Sequence, residues 1–290
     1  MDASTAMYVA QGIHGLAYGM VLFLVASGLT LVLGMMGVLN LAHVSFFMLS
    51  AYFGYQVVAW TGSYWLALLV APLLTAFFGV LMERFLLKKV HAYGPMAELI
   101  LTLGVAFIIT DAIKVVWGTQ NLPLGPPQSL EGLVNLVGMQ YPSYRLFLIA
   151  LSLAILLLMS LVLYKTRLGM VVRAAVSDAE MVDALGINVP LVFMTVFGVG
   201  TWMAGVAGVA IAPILTVSPG LADQMGMDAF IVIIVGGFGS LGGAFLVAIL
   251  CGLLSAYGVQ FLPQYAAVLL FIFMAIVMVI KPEGLFGEKE

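Results

Sequence analysis

The sequence predicts an all-α protein, a polytopic membrane bundle of about eight transmembrane helices. The first observation is composition: the 290 residues are 64% hydrophobic and 8% charged, with a mean hydropathy of +1.20. A soluble domain carries about 25% charged residues, so this chain cannot cover a water-facing surface. The second observation is pattern, because residues 3–82, 184–222 and 229–280 contain no Asp, Glu, Lys or Arg. Such continuous runs indicate membrane helices of about 20 residues and not the short alternating segments of a β-barrel.

The predicted spans follow from these runs and from the charged residues between them. They cover about 16–38, 43–60, 64–82, 97–117, 145–164, 191–213, 240–257 and 265–280. Lys and Arg residues concentrate in cytoplasmic loops, and they cluster after the third and fifth spans, at Arg84, Lys88 and Lys89 and at Lys165, Arg167 and Arg173. The segment 118–144 has no Lys or Arg and is predicted to be external, which also places the N-terminus outside.

Eight crossings that start outside would end outside, whereas Lys281 and Lys289 favour a C-terminus inside. The sequence therefore predicts one further element, a re-entrant half-helix near 229–239. A glycine-rich turn would follow it, because non-helical backbone is tolerated at membrane depth when it is buried in protein; its residues are Gly236, Gly237, Gly239 and Ser240. The alternative is one long helix with a glycine kink and an external C-terminus.

Small residues form ridges within the predicted spans. They recur at four-residue spacing, in the sets Gly200, Ala204, Gly208, Ala212 and Ala244, Ala248, Gly252, Ala256, with a shorter pair at Gly15 and Gly19. In lipid, small residues allow helix backbones to approach closely. The ridges indicate a tightly packed bundle, and the alternative is a moving or dimerising face.

Composition and motifs exclude several classes of function. The single cysteine, Cys251, excludes an internal disulfide framework and a multi-cysteine metal site. No HExxH, Gly-x-Ser-x-Gly or nucleotide-binding Walker sequence is found, so the chain is predicted to be neither an enzyme nor a metal or cofactor protein. Ten Lys and Arg residues without an extended patch do not favour nucleic acid. The N-terminal residues lack Lys and Arg and are not expected to be a cleaved signal peptide.

Two i, i+3 pairs of polar residues interrupt the apolar spans. Asn40 and His43 lie between the first two spans, where their side chains would satisfy backbone groups freed by a helix break. Direct contact with a transported substrate is the alternative. Asp111 and Lys114 lie near the end of the fourth span, either as part of a pathway or as an interfacial pair with its charges in water.

The segment 165–191 is the longest predicted cytoplasmic loop. Ser177 or Asp178 would cap a short helix that ends at Gly186. One or two short amphipathic helices at the membrane surface suit docking into a groove of a soluble partner. An ordinary connector is the alternative, although bundle connectors are usually about 2–8 residues long.

Four stretches resemble the permease subunits of branched-chain amino-acid ABC importers, the Liv type, of the H rather than the M kind. They are GVLNLAHVSFFMLSAY at 37–52, TLGVAFIITD at 102–111 with Trp117 and Gly118 after it, TRLGMVVRAAVSDAEMVDALGI at 166–187, and VGGFGSLGGAF at 235–245 with KPEGLFG at 281–287. The family usually has glycine after the histidine, where this chain has Val44.

The resemblance implies one transmembrane permease domain over 1–290, in a bacterial inner membrane. It implies a second permease subunit of the M kind, two ATP-binding subunits that hydrolyse ATP, and a periplasmic or lipid-anchored solute-binding protein. Residues of the 165–191 loop would couple the ATPases to transport, namely Arg167, Gly169, Arg173, Ala174, Ala175, Asp178 and Gly186. Family members carry branched-chain and other amino acids, urea or short amides, so a urea or short-amide permease stays open. Unrelated alternatives are a stand-alone secondary transporter and a channel for small neutral solutes.

Overall fold

The computed structural model of the chain describes residues 3–136 and 139–287. The helices are α1 (Ala3–Met36), α2 (His43–Thr61), α3 (Tyr64–Met82), α4 (Lys88–Val90), α5 (Pro95–Trp117), α6 (Ser143–Lys165), α7 (Arg167–Ser177), α8 (Ala179–Ala184), α9 (Val189–Ile211), α10 (Leu221–Gly236), α11 (Leu241–Phe261) and α12 (Ala266–Ile280). A π-helical turn, Glu83–Leu87, continues α3 into α4. Strands β1 (Leu133–Leu136) and β2 (Met139–Pro142) form an antiparallel hairpin.

The all-α membrane fold is confirmed. Within the described residues, six helices are long and apolar enough to cross a membrane: Met7–Met36, Tyr64–Tyr93, Pro95–Trp117, Ser143–Lys165, Val189–Ile211 and Leu241–Phe261. Two further predicted spans correspond to α2, with 19 residues, and to the shorter apolar helix over Val268–Ile280. The chain is therefore a multi-pass membrane protein, and about eight helices lie at the predicted spans.

Helix α1 is the centre of the bundle. Its residues from Val21 to Ala26 are fully buried, because α6, α9, α10 and α11 surround it. A Cβ atom on Gly19 would stand 2.5 Å from the Ala248 carbonyl oxygen, and one on Gly28 would stand 2.5 Å from the Gly200 carbonyl oxygen. Backbone contact this close admits only glycine, so the predicted small-residue ridges are packing surfaces.

One end of the bundle carries the loops predicted to be cytoplasmic, and we call it the basic end, after Arg84, Lys88, Lys165 and Arg167. Helices α1, α3 and α6 end there. Helix α11 begins there too, since Gly239, just before α11, packs against Gly34 near the end of α1. The opposite end holds the β1–β2 hairpin and the loop before α10, where Leu122 and Val217 form a β-bridge.

The half-helix predicted near 229–239 is longer than expected. Helix α10 starts at Leu221 and ends at Gly236, and Gly237, with φ of +93°, separates it from α11. One long kinked helix is thus ruled out. At about 1.5 Å per residue the 16 residues of α10 span about 24 Å, less than a hydrocarbon core of about 30 Å. It runs from the bridge at Val217 to the basic end, so it passes through the bundle and does not turn back as a re-entrant segment would.

Candidate functional site

The chain between α1 and α2 turns back into the interior of the protein. The imidazole of His43, the first residue of α2, lies 3.1 Å from the Val25 carbonyl oxygen of α1 through Nε2. Helix α1 continues from Val25 to Met36, about 16 Å further along its axis. Residues 37–42 therefore retrace much of that length as non-helical backbone. Such backbone needs internal hydrogen-bond partners at membrane depth.

Asn40 and His43 provide some of these hydrogen bonds. Asn40 is fully buried, and its Oδ1 accepts from the Ala42 backbone N–H at 3.0 Å, while its own carbonyl accepts from the His43 N–H at 3.2 Å. Their second side-chain nitrogens, Nδ2 of Asn40 and Nδ1 of His43, are buried without a hydrogen-bond partner among the described residues. These contacts support the backbone role for the pair, and the substrate role stays untested.

Thr102 of α5 provides further hydrogen bonds to the backbone of residues 37–42. No pattern in the sequence predicts this role. The Thr102 hydroxyl accepts from the Leu41 N–H at 3.3 Å and lies 3.4 Å from the Leu39 carbonyl oxygen. Val44, where the family usually has glycine, is buried and faces Gly226 of α10, whose added Cβ would stand 3.4 Å from the valine methyls. A glycine on α10 thus leaves room for the larger residue on α2.

The 165–191 loop forms the two short helices that the sequence predicts. Thr166 caps α7, with its hydroxyl accepting from the Gly169 N–H at 3.2 Å. Asp178 caps α8 by accepting from the Met181 N–H at 2.9 Å. Gly186 follows α8 with φ of +82°, the left-handed conformation that favours glycine. Local capping chemistry therefore sets the bounds of both helices.

One side of α7 and α8 is fastened to the transmembrane helices. Gly169 lies directly against the Val162 and Leu163 carbonyls, leaving no space for a Cβ. The Arg173 guanidinium donates to the Leu163 carbonyl oxygen and lies 5.7 Å from the Tyr164 ring centroid. Arg173 therefore anchors α7 to the end of α6 and does not project toward a partner.

Several apolar side chains of these helices are exposed. The exposed fractions are 68% for Leu168, 63% for Met170, 58% for Met181 and 72% for Leu185. Arg167, Ala174, Asp178 and Gly186 are also exposed, whereas Ala175 is buried. We call Leu168, Met170, Met181 and Leu185 the exposed apolar residues of the loop.

Two adjoining cavities at the basic end bring α7 next to the glycine turn. The first, of about 290 Å³, is lined by Gly34 of α1, Tyr164 of α6, Arg173 of α7 and Gly239 of the turn. The second, of about 730 Å³, is also lined by Gly34, Tyr164 and Gly239. Its further lining residues include Ser240, Glu283 and Phe286. Helix α7 and the α10–α11 junction thus line one shared space.

The segment 281–287 closes the end of α10. The Leu285 and Phe286 N–H groups donate to the Val235 and Gly236 carbonyl oxygens at 2.7 and 3.2 Å. Gly236 packs against the backbone of Gly243 and Ala244 at the start of α11. Helix α11 has its own cap, since Ser240 Oγ accepts from the Gly243 N–H at 3.0 Å. The four predicted residues of the turn thus have structural roles here, and a pathway role stays a prediction.

Asp111 and Lys114 lie apart from these features. They form a salt bridge of 3.0 Å on α5, with their side chains 72% and 42% exposed. Neither residue lines the cavities at the basic end. Their geometry is that of a surface pair. Within the described residues, no group of three or more His, Cys, Asp or Glu side chains could hold a metal ion.

Comparison with known proteins gives full-length matches. A family model described as branched-chain amino acid transport system / permease component matches residues 13–280. The chain is 26% identical to the high-affinity branched-chain amino acid transport system permease protein BraD of Pseudomonas aeruginosa, over 98% of this chain and 97% of that protein. It is also 26% identical to LivH of Escherichia coli, a permease protein of the same description, over 100% and 99% of the two chains.

More distant matches agree with these. The LivM permease protein of Escherichia coli is 26% identical over 92% of this chain and 68% of its own length. Among solved structures, PsaBC from Streptococcus pneumoniae in complex with Fab matches with a TM-score of 0.52 and 12% identity, over 94% of this chain and 92% of that one. At that identity the likeness concerns the fold alone.

Proposed function

Because the chain belongs to the family of branched-chain amino acid transport system permease components, we propose that it is the membrane permease subunit of an ABC importer. Its substrates would be branched-chain or related neutral amino acids, as the names of BraD and LivH suggest. The chain would form a passage through a bacterial inner membrane and would do no covalent chemistry itself. ATP would be bound and hydrolysed by partner subunits, so we expect no cofactor on this chain.

The proposed assembly contains four kinds of subunit. This chain would pair with a second permease related to LivM, since the chain resembles that protein as well. Two ATP-binding subunits would dock at the basic end. A solute-binding protein, periplasmic or lipid-anchored, would deliver the substrate at the opposite end.

The exposed apolar residues of the loop are the observation that best supports this proposal. They lie on α7 and α8, and α7 is fixed to α6 through Gly169 and Arg173. A rigidly held amphipathic helix suits insertion into a groove on a soluble partner. Because α7 also lines the cavity beside Gly239, its displacement by the ATPases would change the surroundings of the α10–α11 junction. We infer that Arg167, Ala174, Ala175, Asp178 and Gly186 take part in this coupling.

Replacing Leu168 by Asp tests the docking role. The expected result is at least tenfold less ATPase subunit copurifying with the chain, because loss of a central apolar anchor costs roughly 2 kcal/mol or more. ATP-driven leucine uptake in proteoliposomes should fall with it. The matched control is Leu133→Asp, an equally apolar residue that is 58% exposed in the hairpin at the opposite end.

Copurification unchanged by Leu168→Asp would contradict the docking role. Uptake by the chain alone, driven by an ion gradient and indifferent to ATP, would contradict the importer itself and establish a secondary transporter. Both variants should elute as monodisperse protein in detergent, because each changes a side chain on the surface.

A further inference from the structure

A cluster of polar side chains lies among the outer turns of the bundle, at the end opposite the basic end. His14 and Tyr18 belong to α1, Arg145 to the first turn of α6, and Asp228 to α10. Neither the helix break at residues 37–42 nor helices α7 and α8 involve any of them. The cluster joins three helices whose sequence positions are far apart, so no local pattern in the sequence indicates it.

Arg145 carries a positive charge that no acidic side chain at positions 3–136 or 139–287 offsets by a salt bridge. Its guanidinium donates to His14 Nδ1, and the Tyr141 hydroxyl lies 3.1 Å from the same nitrogen. An arginine can only donate, so His14 Nδ1 is an acceptor and the imidazole is neutral. Burial raises the pKa of the Tyr141 phenol, although Arg145 opposes the shift, so this group is also neutral. Within the described residues, no carboxylate forms a salt bridge with Arg145.

Asp228 is the acidic group of the cluster. Its Oδ2 accepts a hydrogen bond of 2.7 Å from the Tyr18 hydroxyl, and the described residues place no Lys, Arg or His in salt-bridge contact with it. A carboxylate within a membrane helix is costly and usually marks a partner or a ligand pathway. The cluster thus offers one cationic and one acidic group, and neither has a salt-bridge partner in the described part of the chain.

A cavity of about 310 Å³ is lined by Arg145 and by Tyr18, the residue whose hydroxyl binds Asp228. Its polar wall is formed by Gln11, His14, Tyr18 and Arg145, and Asp228 stands one hydrogen bond behind Tyr18. Its other wall comes from α11, where Gly252, Ser255, Ala256 and Val259 provide small and mostly apolar surface. Ligand pockets start at about 300 Å³ and combine apolar walls with a few placed polar groups.

We propose that this cavity binds the zwitterionic head group of an α-amino acid with an aliphatic side chain. The carboxylate pairs with Arg145, whose planar guanidinium matches it. The ammonium group donates a hydrogen bond to the Tyr18 hydroxyl oxygen, which the Asp228 carboxylate behind it polarises, and the aliphatic side chain packs against the α11 wall. The site rests on the proposed function, which supplies a neutral amino acid at this end of the protein, and it makes the cavity a reception site before the passage.

The test is equilibrium binding to the purified membrane assembly in nanodiscs, without ATP and without a solute-binding protein. Three tritiated ligands separate the two charges: leucine, 4-methylpentanoate, which lacks the ammonium group, and 3-methylbutylamine, which lacks the carboxylate. The Arg145→Gln variant should bind leucine and 4-methylpentanoate about tenfold to a hundredfold more weakly, with 3-methylbutylamine unchanged. The Asp228→Asn variant should show the reverse pattern for the two analogues.

Each variant keeps affinity for one analogue, and that retained binding shows that the cavity is still folded. Tyr18→Phe removes only the hydroxyl that holds Asp228 and should weaken the amine-bearing ligands alone. The matched controls are Arg84→Gln, at the basic end, and Asp223→Asn, in the exposed first turn of α10. Both should bind all three ligands like the wild type.

Unchanged leucine binding in Arg145→Gln and Asp228→Asn would overturn this inference, as would equal wild-type affinity for the three ligands. The proposed function fails by a different result, the absence of ATP-driven leucine uptake by the wild-type assembly. Wild-type uptake together with unchanged uptake and binding in both variants would leave the importer in place and remove the site.

Discussion

The buried hydrogen bond from Ala42 N–H to Asn40 Oδ1 gives the sharpest test of the helix break. Asn40→Ala removes the acceptor and leaves a buried backbone donor unpaired, which costs about 1–3 kcal/mol. Adding His43→Ala removes a fully buried side chain, and the cavity that it leaves lowers the free energy of unfolding by a further ~2–5 kcal/mol. The two residues share a hydrogen bond, so their losses do not simply add, but each is a large part of a typical net stability of about 5–15 kcal/mol.

We therefore expect Asn40→Ala to lower the melting temperature, and the double variant to lower the yield of assembled protein severely. The assay is fluorescence-detected size exclusion of tagged protein after heating. Asn188→Ala is the matched control, because the Asn188 side chain also accepts from a backbone N–H, that of Leu191, at 3.1 Å, but at an exposed site. Water replaces that side chain, so the cost should be near the low end of about 0.5–2 kcal/mol.

If the Asn40→Ala variant has the same melting temperature as Asn188→Ala, this reasoning is refuted. If such a stable variant also changed which amino acids are transported, the side chain would be a substrate contact and not a support for the backbone. The double variant separates the same two roles, since a substrate contact would leave assembly intact.

Two further predictions concern the packing of the bundle. Phe286→Pro removes the N–H that donates to the Gly236 carbonyl, so the melting temperature should fall by the equivalent of about 1–3 kcal/mol; Phe286→Ala keeps that bond and should be close to wild type, and equal effects would contradict the capping role. Gly19→Ala would place a Cβ 2.5 Å from the Ala248 carbonyl oxygen and should cost about 1–3 kcal/mol in detergent unfolding. Gly104→Ala, where a Cβ meets nothing within 4 Å, is its control and should be neutral or slightly stabilising.

Features that depend on neighbouring residues were predictable from the sequence. Charge-free runs located the transmembrane helices, and the cap at Asp178 and the glycine at Gly186 fixed the ends of α8. Four-residue spacing of small residues identified the surfaces that later meet across α1 and α11. In each case the physical cause acts within one or two helical turns.

Features that depend on distant contacts were not predictable in this way. Arg173 could equally have faced a partner, and only the position of the α6 end shows that it points back to Leu163. The start of α10 lay outside the predicted range, because Asp223 and Asp228 break the charge-free run although the helix continues through them. The bond between Tyr18 and Asp228 joins residues 210 positions apart, and periodicity carries no information on such pairs.

The capping of α10 by Leu285 and Phe286 imposes an order on biosynthesis. The two carbonyls at the end of α10 receive their donors from a segment made about 50 residues later, after α11 and α12. At about 5–20 residues per second, the ribosome needs roughly 2–10 s to reach that segment. During this interval the two carbonyls lack these donors. The contact between the C-terminal segment and the α10–α11 junction is thus formed late in insertion, only when the chain has returned to the basic end.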